Sequence, residues 1–70
     1  MPEFENHFAK NLSRLRAEKG LTREVISVAT GISERTLGRY ERGESLPRID
    51  DAMRLAGVLS VPLVKLLFDI

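Results

Sequence analysis

Apolar residues recur along this chain at three- and four-residue intervals and nowhere alternate with period two, so the pattern predicts helices throughout. Phe4, Phe8, Leu12 and Leu15 form the first stripe, and Gly20 closes it, giving a helix over about residues 5 to 18. Arg16 lies at the edge of that stripe beside Ala9, which buries part of it and requires a partner. Thr22 followed by Arg23, Glu24 and Val25 reads as an N-cap with an acidic first turn, opening a second helix over about 23 to 30. Gly31 is its left-handed stop, because only glycine reaches that backbone region without steric cost. Ser33 caps a third helix that Gly43 and Pro47 bring to an end. A fourth helix, about 49 to 58, places Ile49, Ala52, Met53, Ala56 and Leu59 on one face and Asp50, Asp51 and Arg54 on the other. Ser60, Val61 and Pro62 break the chain, and Leu63, Leu66, Leu67 and Ile70 make the core stripe of a short fifth helix. The expected fold is all-α, a compact five-helix domain occupying residues 1–70.

The third helix is the informative one. At about 100° per residue, Arg35, Arg39 and Arg42 fall within an arc of roughly 60°, while Leu37, Tyr40 and Glu41 point the opposite way. A guanidinium face on an apolar base suits a helix that enters the major groove of DNA.

Composition narrows the alternatives. Seventy residues are near the lower limit for a core without staples, and the absence of cysteine excludes disulfides and thiolate metal sites. His7, the lone histidine, cannot hold zinc by itself and reads as a surface residue. Asp50 and Asp51 diverge by about 100° on a helix, so they form no shared acid–base site. The chain therefore reads as a non-enzyme that needs no cofactor. Net charge is only +1, so an electropositive face must come from arrangement: residues 21 to 48 hold five arginines against four glutamates, and residues 49 to 70 two basic groups against three aspartates. No stretch approaches a membrane span and the first residues do not resemble a leader, so a cytoplasmic protein without membrane contact is expected.

Several spaced elements together resemble the DNA-binding domain of phage lambda-type repressors and Cro proteins, the xenobiotic-response-element family of helix-turn-helix regulators. They run over residues 8 to 68 through Leu12-Ser-Arg-Leu-Arg16, Gly20-Leu-Thr22, Gly31-Ile-Ser33, Thr36-Leu37, Arg39-Tyr-Glu-Arg-Gly43, Pro47 and Leu55-Ala56 to Leu66. The resemblance places a helix-turn-helix at about 22–43. It implies that Glu34, Arg35 and Arg39 read base edges, that Arg23, Ser33 and Arg42 hold phosphates, and that Arg16 and Glu41 form a structural ion pair. The chain departs from the family pattern at Ser27, in place of a small alanine, at Thr30, in place of a leucine, and at Arg48, where a helix cap is usual. Gly38, inside the reading helix, costs about 1 kcal/mol of helix propensity relative to alanine and removes a side chain that could meet a base.

Double-stranded DNA is thus the expected partner, read by a homodimer on an inverted repeat in transcription regulation. Val25, Val28 and Ala29 on the second helix, and Val64 and Phe68 on the last with Val58 beside them, are apolar beyond what a core stripe requires. They are candidates for a dimer contact and for RNA polymerase or a regulatory protein. The same surfaces support an alternative, a protein-interaction module such as an antitoxin or anti-repressor on this fold.

Overall fold

The computed structural model describes residues 2–69, with side chains from His7 to Asp69. Its elements are α1 (Pro2–Glu18), α2 (Arg23–Thr30), α3 (Glu34–Glu41), α4 (Ile49–Leu59) and α5 (Leu63–Phe68), with no strand among the described residues. α1 starts earlier than the apolar stripe indicated, at Pro2, where a first-turn proline forfeits no hydrogen bond. Phe4 and Ile70, assigned to core stripes, lie outside the described side chains. None of the described helices is long and apolar enough to cross a membrane.

Phe8, Leu12 and Leu15 of α1 meet Ile26 and Ile32, Leu37 and Tyr40 of α3, Leu55 and Leu59 of α4, and Leu66 of α5 in one buried cluster. Phe8 and Tyr40 pack edge to face, ring centroids 5.7 Å apart. α5 is clipped to α1 by the buried Asn11, whose Nδ2 donates to the Leu66 carbonyl at 3.1 Å. Tyr40 ties α3 to α4 by donating to Asp51 Oδ2 at 2.8 Å, and burial followed by that hydrogen bond pushes its phenol above the ordinary tyrosine range.

α4 corrects the sequence reading. Its buried face is Ala52, Leu55, Ala56 and Leu59, an arc of about 100°, which leaves Ile49 and Met53 rotated to its edge and exposed at 66% and 61%. Leu46, just before α4, is exposed beside them in sequence. Val58, grouped above with the outer apolar residues, instead packs half-buried against the core.

Candidate nucleic-acid interface

Local chemistry sets the two motif helices and the turn between them. The Val25 N–H donates to Thr22 Oγ1 at 3.1 Å and the Thr36 N–H to Ser33 Oγ at 3.1 Å, so each helix begins on a side-chain cap. Gly31 takes φ 79°, the left-handed conformation that stops α2. Thr30, where the family pattern has leucine, bridges the turn: its hydroxyl donates to the Ile26 carbonyl at 2.7 Å and accepts from the Ile32 N–H at 3.2 Å. The angle between α2 and α3 is therefore fixed by backbone-directed bonds as well as by the burial of Ile26, Ile32 and Leu37.

On that base α3 buries Leu37 and Tyr40 and leaves Glu34, Arg35 and Arg39 exposed. Arg16 and Glu41 meet through two hydrogen bonds, Nε to Oε2 at 2.8 Å and Nη2 to Oε1 at 3.0 Å, while Arg16 Nη1 donates to the Leu21 carbonyl at 3.1 Å. Glu41 Oε1 also accepts from Arg23 Nη2 at 3.0 Å and from Ser13 Oγ at 3.2 Å. One carboxylate thus joins α1, α2 and α3, with its side chain only 4% exposed. Burial alone would raise the Glu41 pKa. The hydrogen bonds and charges of Arg16 and Arg23 outweigh it and hold the carboxyl below its ordinary value.

The shared carboxylate matters for charge. Two guanidinium groups divide a single negative charge, so Arg23 keeps net positive character at the start of α2, where free backbone N–H groups also favour an anion. Arg23 is half-exposed; its Nε is buried with no hydrogen-bond partner among the described residues, and its Nη2 is held by Glu41. Ser33 is exposed, and its hydroxyl donates to Thr36 Oγ1 at 3.0 Å while capping α3. Arg42, just beyond α3, bonds Glu44 from Nε at 2.7 Å. That bond, then its charge, lowers the Glu44 pKa, and Arg39 adds to the effect.

Glu34, Arg35 and Arg39 of α3 and Arg42 just beyond it are all exposed, and Arg23 pairs with the buried Glu41 carboxylate. Sequence spacing gave no sign that Arg23 and Ser13 share Glu41, since the partners lie 18 and 28 residues away. Arg48, which lacks a capping side chain, stands exposed at the start of α4, 3.5 Å from Asp50. Val25, Val28 and Ala29 of α2 face outward, Val28 83% exposed, as do Val64 and Phe68 of α5.

A helix-turn-helix family model matches residues 12–66. Over 56 residues, 80% of this chain, the sequence is 41% identical to an uncharacterized HTH-type transcriptional regulator of Sinorhizobium fredii, covering 73% of that protein. Over the same length it is 43% identical to a provisionally assigned HTH-type transcriptional regulatory protein of Pyrococcus horikoshii, of which it spans only 18%. The fold superposes with a TM-score of 0.86 and 31% identity on a crystal structure of a helix-turn-helix family transcriptional regulator from Vibrio cholerae, covering 96% of this chain and 38% of that one. With its capped two-helix motif and matching neighbours, the chain belongs to the lambda repressor/Cro-like helix-turn-helix family.

Proposed function

We propose that this chain binds double-stranded DNA in a sequence-specific manner as a transcriptional regulator, and that it does so as a dimer on an inverted repeat. The observation that carries the reading is the outward arginine face of α3, held on a buried apolar base and tied through Glu41 to α1 and α2. Arg35 and Arg39 are the base readers: each offers two parallel donors that match guanine O6 and N7, a contact that discriminates by about 1–3 kcal/mol. Glu34 accepts from cytosine N4 at the entry of the same helix. Arg23 with the start of α2, and Ser33 with the start of α3, hold phosphates on either side. The matched relatives are regulators, a non-enzymatic family, in keeping with a surface that binds rather than reacts.

Size is compatible with one copy on each half of such a site. The chain measures 28 Å along its longest axis, and the half-sites of an inverted repeat lie about 34 Å apart, so each half-site would take one copy. Val64 and Phe68 on the outer side of α5 supply the apolar contact. A second reading rests on α2, whose exposed Val28 and Val25 suit a protein partner such as RNA polymerase, or an antitoxin- or anti-repressor-like role.

Selection of bound duplexes from a randomised pool tests the proposal. The wild type is expected to enrich a two-fold symmetric site. Arg35→Ala should relax preference at one base position in each half, and Arg23→Ala should weaken all sequences alike with a salt slope shallower by about 1 per subunit. Loss of affinity in both variants with an unchanged selected profile would contradict this division of roles, and no enrichment by the wild type would contradict DNA reading altogether.

A further inference from the structure

The glycine inside α3 is not an open gap. Gly38 is buried, and the three atoms nearest to the place a Cβ would occupy all belong to the Arg42 guanidinium, with Nη1 at 3.0 Å. Arg42 therefore folds back one helical turn and lies in the berth that residue 38 leaves, four positions earlier on the same side. Glu44 holds it there from one edge, accepting from Nε at 2.7 Å and from Nη2 at 3.4 Å. Nη1, the guanidinium atom nearest Gly38, makes no hydrogen bond among the described residues, so its donors are unused there. Nη1 and Nη2 together make one of the two forks by which an arginine pairs with guanine O6 and N7.

Family resemblance assigns Arg42 to phosphate, yet a phosphate ligand needs neither a berth on the reading helix nor a carboxylate on its other edge. A nearby acidic group would only oppose an anion. For a base reader both features help, because a guanidinium held in place loses less freedom on binding. Resting on the DNA-reading proposal above, we propose that Gly38 and Glu44 position Arg42 as a third base-reading arginine, which takes the place at the groove that residue 38 leaves empty. Gly38 is then a specificity-determining position through what it admits rather than through what it touches.

The test measures equilibrium binding to a panel of duplexes in which each base pair of the wild type's selected site is replaced in turn. Arg42→Ala is expected to abolish discrimination of about 5- to 160-fold at one base pair. Glu44→Ala and Gly38→Ala should each lose part of that discrimination at the same pair and add nothing further when combined with Arg42→Ala. Gly38→Ala meets only the far end of a flexible side chain, so its helix content by circular dichroism should match or exceed wild type. Uniform weakening of every duplex by Arg42→Ala would return Arg42 to phosphate, and a uniform gain in affinity from Glu44→Ala would make Glu44 a mere competitor; either result overturns the proposal. A wild type that binds the whole panel equally would instead defeat the DNA-reading proposal on which it rests.

Discussion

Glu41 concentrates more of this molecule's structure than any other single residue of the motif. Its carboxylate accepts from Arg16, Arg23 and Ser13, and removing it strands a half-buried arginine whose only other described bond is to the Leu21 carbonyl. Losing one partner of a buried pair costs about 3–5 kcal/mol. Because Arg16 retains some access to water, Glu41→Ala is expected to cost about 3 kcal/mol in urea melts; a variant as stable as wild type would show that the cluster contributes nothing. The pH dependence has a definite sign. A carboxyl depressed in the folded state contributes stability in full above its unfolded pKa of about 4.3, and loses it as pH falls through the folded value. Wild type should therefore weaken below about pH 4.3 more steeply than Glu41→Ala. Tyr40 runs the other way: its raised phenol contributes stability that fades as pH rises beyond about 10, and Tyr40→Phe should remove both that slope and the bond to Asp51. The need of Arg16 for a partner was legible from its place beside Ala9. The sharing of Glu41 with Arg23 and Ser13 was not, because it depends on how α1 and α2 converge on α3.

At the scale of elements, the helices and their stops were largely written in short-range signals. Thr22, Gly31 and Ser33 each act through the backbone within a few residues, so α2 and α3 fall where the caps predicted. Ser33→Ala should cost about 1 kcal/mol for the lost cap. Thr30→Val, which keeps shape but removes the hydroxyl that spans the turn, should cost about 1–2 kcal/mol, as read by thermal melts. A gain of stability in Thr30→Val would mean that the turn is held by apolar packing alone. The face of α4 was less legible. Ile49 and Met53 match helical spacing as well as Leu55 does, and only packing against α2 and α5 rotates Leu55 inward and leaves the other two exposed. Apolar periodicity reports that a stripe exists more securely than it reports the stripe's centre.

At the scale of the whole molecule, outward apolar side chains stand apart from the arginine face. Val64 and Phe68 lie on α5, whereas Val25 and Val28 lie on α2, and the two pairs make separable predictions. Phe68→Glu should turn a dimer into a monomer in analytical ultracentrifugation; a dimer that survives the substitution, or a wild type monomeric at high micromolar concentration, would remove the α5 contact. The arginine face itself was visible in the sequence because helical spacing alone puts Arg35 and Arg39 together. The berth of Arg42 over Gly38 was invisible there, since spacing fixes where a side chain begins and not which way its guanidinium folds. Whether α3 is the surface that enters the groove is the central question. The most direct measurement is a two-dimensional amide and arginine side-chain NMR titration of the protein with its selected duplex. The largest shifts should fall on Glu34, Arg35 and Arg39 and on the start of α2, with the outward side of α2 at Val28 little changed. Shifts centred instead on Val28 and Ala29, with the α3 arginines unmoved, would contradict it.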